Sequence, residues 1–145
     1  MLFEIKKITF GQKFYRMKIE IKGNKTIIEE TEDSPSILMD LDTKRLVMEG
    51  PSFPEDAVET YKPVLHWLSE NYDKIDKLEC IFDYTILSSA SNKMVFEILV
   101  KLEDMHKNGK DILVKWFYAS YDEDMHDEGK GFSDNLKIPF ELIEK

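Results

Sequence analysis

The chain has 145 residues, 42% of them hydrophobic and 34% charged, with 29 Asp and Glu against 20 Lys and Arg. That length suits one domain able to bury a core without disulfides or metal. The net charge of −9 repels nucleic acid and anionic membrane, so neither is an expected partner. Cys80, the only cysteine, excludes an intrachain disulfide and reads as a small core residue within an apolar run. No apolar stretch approaches the ~20 residues needed to cross a bilayer. The opening MLFEIKKITFGQKFYR interleaves charged with apolar residues and lacks the apolar centre of a signal peptide. A cytoplasmic location is the expectation.

Short alternating runs come first. MKIEIKG, from Met17 to Gly23, and KTIIEE, from Lys25 to Glu30, read as strands joined at Gly23-Asn24. SILMDLD, a polar turn at Thr43-Lys44 and RLVMEG form a second hairpin signal, which Gly50-Pro51 is expected to end. The period then changes in SFPEDAVETYKPVLHWLSENYDK. Pro54 suits a first helical position, and Glu55 and Asp56 suit the positive helix end. Val58, Tyr61, Leu65, Leu68 and Tyr72 recur at steps of three and four and predict one buried stripe. Pro63 is expected to kink or divide this helix. His66, beside the stripe, reads as a packed or half-exposed helix residue rather than a ligand.

KLECIFDYTIL is apolar on both faces at its centre, the pattern of an inner strand of a covered sheet. The helical stretch NKMVFEILVKLEDMHKNG follows, with Met94, Val95, Ile98, Leu99, Leu102 and Met105 on its apolar face and Asn108-Gly109 as its stop. DILVKWFYAS is a second inner-strand run. Strand, helix and strand with short joints predict a βαβ unit with parallel strands over residues 77–118. The tail LKIPFELIEK adds an edge segment, where Pro139 is tolerated. The expected fold class is α/β, one mixed sheet of about four to six strands with helices packed against it.

Catalytic motifs are missing. The chain has no GxGxxG, no GxxxxGK[ST], no GxSxG, and no HExxH among His66, His106 and His126. In YDEDMHDEGKGFSDN, Asp122, Asp124, His126 and Glu128 alternate and could offer oxygen ligands to a hard cation. The calcium-loop pattern fails there, with Asp127 in the sixth position and Ser133 in the twelfth. A solvated acidic loop, with at most one helical turn, is the simpler reading. A docking surface for a basic partner, including Asp122, Glu123 and Asp124, is the better functional one. No cofactor and no metal site are expected.

The junction FDYTILSSASNK sets Ser88, Ser89 and Ser91 between a strand and a helix that starts near Ser91. One hydroxyl can cap the helix. The others stand where phosphate would be favoured by the helix's unpaired N–H groups.

With this junction, SPSILMDLDTKRLVMEGPSFPEDAVETYKPVLHWL, VKWFYASYDEDMHDEG and LKIPFELIE, in that order, the chain from Met17 to Glu144 resembles the SiaC family of bacterial regulatory phosphoproteins. The resemblance implies a fold like that of anti-sigma factor antagonists (STAS domains) and a non-enzymatic switch. It implies a dedicated Ser/Thr kinase, a PP2C-type phosphatase, and an effector such as a diguanylate cyclase that is bound by the unmodified form, in cyclic di-GMP signalling. The family's hydroxyl-rich stretch before a Lys falls on Ser88, Ser89, Ala90, Ser91 and Asn92 ahead of Lys93, and places the phosphoacceptor on Ser89, with Ser88 and Ser91 as alternates. Ser88, Ser89, Ser91, Asn92 and Lys93 would then touch the partner. Ser89 stands where Thr occurs in the best-known member, and Ala90 where a hydroxyl is common. Residues 1–16 lie outside the resemblance, as an extension before Met17 or an extra strand, and 17–145 form the domain. An anti-sigma factor antagonist with another partner and a metal-dependent enzyme using residues 122–128 are the two alternatives.

Overall fold

The computed structural model describes the backbone of residues 2–10 and 13–145 and the side chains from Met17 onward. Eight strands form one sheet in chain order, namely β1 (Leu2–Phe10), β2 (Lys13–Lys22), β3 (Lys25–Ile28), β4 (Ser36–Asp40), β5 (Arg45–Ser52), β6 (Lys77–Leu87), β7 (Asp111–Tyr118) and β8 (Phe140–Glu144). The first five pair antiparallel, and β5–β6, β6–β7 and β7–β8 are parallel. Three helices lie between the later strands: α1 (Ala57–Glu70), α2 (Ser89–Lys107) and α3 (Glu123–Asn135). The α/β class and the mixed sheet agree with the sequence reading, and the strand count exceeds the four to six expected. Part of the excess is β1, which lies ahead of Met17. Among the described residues, no helix is long and apolar enough to cross a membrane.

The βαβ unit is present. Lys77 to Phe82 run parallel to Asp111 to Trp116 in register, and α2 buries Met94, Val95, Ile98, Leu99, Leu102 and Met105. Gly109, at φ +90°, follows the cap at Asn108 and takes the left-handed conformation that ends the helix.

The expectation of a sheet with both faces covered needs correction. Ile37, Met39, Leu46, Met48, Leu78, Cys80, Phe82, Val114 and Trp116 share one face by register and are fully buried there with the helices. The opposite face carries Leu38, Val47, Ile81 and Lys115, all half-buried. On that face Glu79 pairs with Arg45 at 3.8 Å and with Lys115 at 3.5 Å. Cys80 is buried as the sequence suggested, and burial pushes its thiol far up, away from thiolate chemistry.

Three local expectations also change. Strand β5 does not stop at Gly50-Pro51: Gly50 takes φ +112°, β6 bulges opposite at Thr85, and pairing runs on to Ser52. Helix α1 starts after Asp56, whose carboxylate accepts the Glu59 N–H at 3.1 Å, and passes through Pro63 undivided. Its buried stripe is Ala57, Tyr61, Val64, Trp67 and Leu68, while Val58 is 58% exposed. Burial on both sides of Pro63 sustains the helix despite one missing ladder hydrogen bond. His66 is exposed, with its Nε2 2.9 Å from the Glu70 carboxylate.

The largest departure is residues 122–135. The acidic segment is a 13-residue helix capped by Asp122, not a loop. Met125 and Phe132 are buried, and the Trp116 indole donates to the Met125 carbonyl at 3.0 Å. Gly129 is buried against the same indole, which a Cβ would strike, whereas a Cβ at Gly131 would meet nothing.

The two glycines therefore give opposite expectations. Gly129→Ala should cost about 1–3 kcal/mol by overpacking, and Gly131→Ala should gain about 0.5–1 kcal/mol from backbone entropy, both read by urea denaturation. Loss of residues 1–16 should leave a cooperative thermal transition, because the described core runs from Ile19 to Ile138. A broad, non-cooperative melt would place that segment in the folding unit.

Candidate functional site: the serine junction and the α2–α3 groove

The last residue of β5, Ser52, lies beside the start of α2, where its carbonyl accepts the Ser88 N–H at 2.8 Å. Ser88, in extended conformation, is the N-cap, and its Oγ accepts the Ser91 N–H at 3.1 Å. Capping thus falls to Ser88, and Ser91 lies one turn inside the helix, with no exposed surface.

The Ser91 hydroxyl is the end of a buried chain. It accepts from Ser88 Oγ at 3.1 Å and from Ser52 Oγ at 2.8 Å. Ser52 Oγ is 2.6 Å from Tyr61 Oη, which is 2.8 Å from Tyr84 Oη, and the Met48 sulfur lies 3.6 Å from Tyr84 Oη. Since Ser52 gives its proton to Ser91, Tyr61 must give its own to Ser52 and Tyr84 its own to Tyr61. The chain joins β5, β6, α1 and α2. Burial above all raises both phenols, Tyr84 the more strongly because Tyr61 adjoins it. No histidine or carboxylate stands in the chain to act as a base, so its serines are positioned as structural hydroxyls and not as activated nucleophiles.

Ser89 differs from both neighbours. It is the first helical residue and it is exposed. Lys93 is one helical turn further on the same side and is also exposed.

Beside this turn an open groove of about 920 Å³ separates α2 from α3. Leu87, Phe96 and Phe132 supply its apolar surface, and the rings of Phe96 and Phe132 stack at 6.2 Å. Asn92 donates to Glu128 across the groove. Glu97, Asp124, Asp127 and Glu128 line it together with the single cation Lys93.

Of the residues singled out in the sequence, Asn92, Lys93 and Asp124 meet at this groove. Ser88 and Ser89 lie at the adjoining turn, and Ser91 is occluded. Asp122 and Glu123 line a separate depression with Tyr118 and His126. The alternating Asp122, Asp124, His126 and Glu128 are thus divided between two sides of α3. Among the described residues, no group of three or more His, Cys, Asp and Glu side chains could hold a metal ion. The hydroxyl chain of Ser52, Tyr61 and Tyr84 gave no signal in the sequence, where Tyr61 read only as a buried helix residue, since it joins separate elements. Phe96 could have been found, as an aromatic on the polar side of an amphipathic helix.

The family model described as SiaC family regulatory phosphoprotein matches residues 28–145. The structure of SiaC of Pseudomonas aeruginosa superposes with a TM-score of 0.77 at 25% identity, covering 83% of this chain and 98% of that one. A chain in the crystal structure of the diguanylate cyclase SiaD in complex with its activator SiaC, from the same species, gives 0.78 at 27% identity, over 82% and 98%. A protein of Pseudomonas aeruginosa strain UCBPP-PA14 is 28% identical over 116 residues, 79% of this chain and 92% of its own.

The hydroxyl chain predicts unequal effects for two similar substitutions. Ser91→Ala should cost about 1–3 kcal/mol, because the Ser52 donor loses its acceptor inside the protein. Ser89→Ala should fall within about 0.5 kcal/mol, as for an ordinary surface site. Chemical denaturation measures both. In alkaline titration, two of the six tyrosines should stay protonated until unfolding. The stability that the raised phenols confer is complete below the ordinary phenol value of 10.0 and is lost as pH rises above it.

Proposed function

The chain belongs to the SiaC family of regulatory phosphoproteins, and from that premise we propose that it is a phospho-switched activator whose phosphoacceptor is Ser89. The observation that carries this reading is the division of labour among the three serines. Ser88 is spent on the cap and Ser91 on the buried chain, which leaves Ser89 as the hydroxyl a kinase can reach. Ser/Thr kinase and PP2C-type phosphatase activities would add and remove the phosphate. The protein itself works by binding, not by catalysis.

The fold should tolerate the modification. Phosphate adds about −1.5 to −2 charges. At the first position of α2 it meets the N–H groups that precede the helical ladder, a contact that is mildly favourable, on the order of 0.3–1 kcal/mol. Lys93, one turn on, can pair with it.

The surface would change more than the fold. In the unmodified protein, Lys93 and the α2 N-terminus form a small positive mouth to an otherwise acidic groove. Phosphate reverses the sign of that mouth and engages Lys93, so a partner carboxylate bound there would be repelled and left poorly solvated. The unmodified form is therefore the binding form. Its effector is a diguanylate cyclase, by analogy with the SiaD–SiaC complex, and the output would be cyclic di-GMP synthesis.

Binding to the cognate cyclase, measured by calorimetry, tests this directly. Ser89→Ala should bind like the unmodified protein and resist the kinase. Ser89→Asp should bind at least about tenfold more weakly, or 1.4 kcal/mol, with its thermal transition retained. Equal affinity of the two variants would remove the switch. Continued phosphorylation of Ser89→Ala would move the acceptor to another residue.

A further inference from the structure

We infer that the β1–β2 hairpin is a self-association arm, through which two copies of this chain pair their β1 strands antiparallel about a two-fold axis at Ile5. The inference does not depend on the phospho-switch, because the match to the family begins at residue 28, downstream of the arm.

The backbone supplies the free edge. Strand β3 pairs only with Ile19 to Lys22 of β2. Residues 13–17 therefore run about 17 Å past that pairing, at ~3.4 Å each, with β1 as their one neighbouring strand among the described residues. A two-stranded ribbon is marginal in water and gains stability from further strands. The Glu29 N–H donates to the Lys18 carbonyl at 3.0 Å. A residue of an antiparallel strand turns its N–H and C=O to one side, so those of Lys18 face β3. Ile5, opposite Lys18, therefore turns its own away from β2, and Lys7 and Thr9 follow at steps of two. Such a row of open donors and acceptors is a template on which another strand adds.

The residues along β1 select a second copy as that strand. With the axis at Ile5, Glu4 lies opposite Lys6 of the second copy, twice over, and Leu2 lies opposite Ile8. An axis at Glu4, Lys6 or Lys7 would set two like charges against each other, which opposes pairing. The isologous contact closes at two copies, and the two ribbons together make four strands. Charge favours the same occupant. Residues 1–16 carry Lys6, Lys7, Lys13 and Arg16 against Glu4, a formal +3, which leaves −12 for the rest of the chain. Ile8 of one arm is level with Leu2 of the other, whose own partner is Glu20, in the part of β2 that β3 holds. Each basic arm is thus carried toward the acidic body of the other copy.

Sedimentation velocity of the full-length unmodified protein, from ~5 to ~500 µM, should show monomer converting to dimer, since one strand pairing is a small interface. Ile5→Pro removes the two central donors and spares the β1–β2 ladder, because the Ile5 N–H turns outward. It should associate at least about tenfold more weakly with its thermal transition retained. Lys6→Glu creates two Glu–Glu pairs and should weaken association by a similar factor. The swap Glu4→Lys/Lys6→Glu should restore it to within about threefold, because the axis at Ile5 again sets opposite charges face to face. On mild oxidation Ile5→Cys should form an intermolecular disulfide, its Cα atoms being about 5.5 Å apart across the axis. Lys7→Cys, opposite Phe3 of the second copy, should not, and the buried Cys80 does not compete. A monomer throughout, undiminished association of Ile5→Pro, a swap without rescue, or equal cross-linking of the two cysteine variants would overturn the assignment. A monomer that binds vesicles of phosphatidylglycerol and phosphatidylcholine, and loses them in Lys6→Glu, would give the arm to a membrane instead.

Discussion

The hydrogen bond from Ser52 to Ser91 is the constraint on which the junction depends. A hydroxyl with no exposed surface must be satisfied from within the protein, and Ser91 is satisfied by residues from two directions, Ser52 on β5 and Ser88 at the cap. That requirement fixes the rotation of α2's first turn. Once Ser91 points inward, the residue two positions earlier must point outward, because successive helical residues are about 100° apart. The exposure of Ser89 is thus a consequence of the burial of Ser91. Strand β5 stays paired past the bulge at Thr85 of β6, so Ser52 lies opposite Leu87, one residue before the cap.

Anchorage of this kind would suit the phosphoacceptor proposed at Ser89, which would change charge without changing the fold. The first turn of α2 is held through Tyr61 to α1 and through Tyr84 to β6, so an added phosphate works against a rigid support. Its effect is then confined to the local field and to Lys93. The groove begins one turn away, and its two helices are pinned independently, α2 by its buried face and α3 by Trp116 and Gly129. A rigid groove with a chargeable mouth can change partner affinity through electrostatics alone, with no rearrangement of its walls.

Much of this was legible in the sequence, and the failures have physical causes. The βαβ unit showed clearly because an amphipathic helix with a glycine stop lay between two apolar runs. The hairpins showed because their turns carry Gly23-Asn24 and Thr43-Lys44. The stripe on α1 was right at Tyr61 and Leu68, with Leu65 and Tyr72 packed against the core, and failed at Val58, which fits the helical period as well as Ala57 does. Helix α3 read as a loop because Gly129, Gly131 and many acids lower helix propensity. Tertiary contact overrides that penalty, since Gly129 is what lets the Trp116 indole approach. The junction was found as a cluster of hydroxyls, but the individual role of each serine was invisible, because it is set by Ser52 and Tyr61, far away in the chain.

The central claim is that Ser89, and not its neighbours, carries the regulatory phosphate. Fragmentation mass spectrometry of the protein isolated from its own cells, before and after treatment with a PP2C-type phosphatase, tests it most directly. The account predicts a single phosphate located on Ser89 and removed by the phosphatase. A phosphate on Ser91, whose hydroxyl would have to leave the buried chain, or the absence of any phosphorylated form, would contradict it.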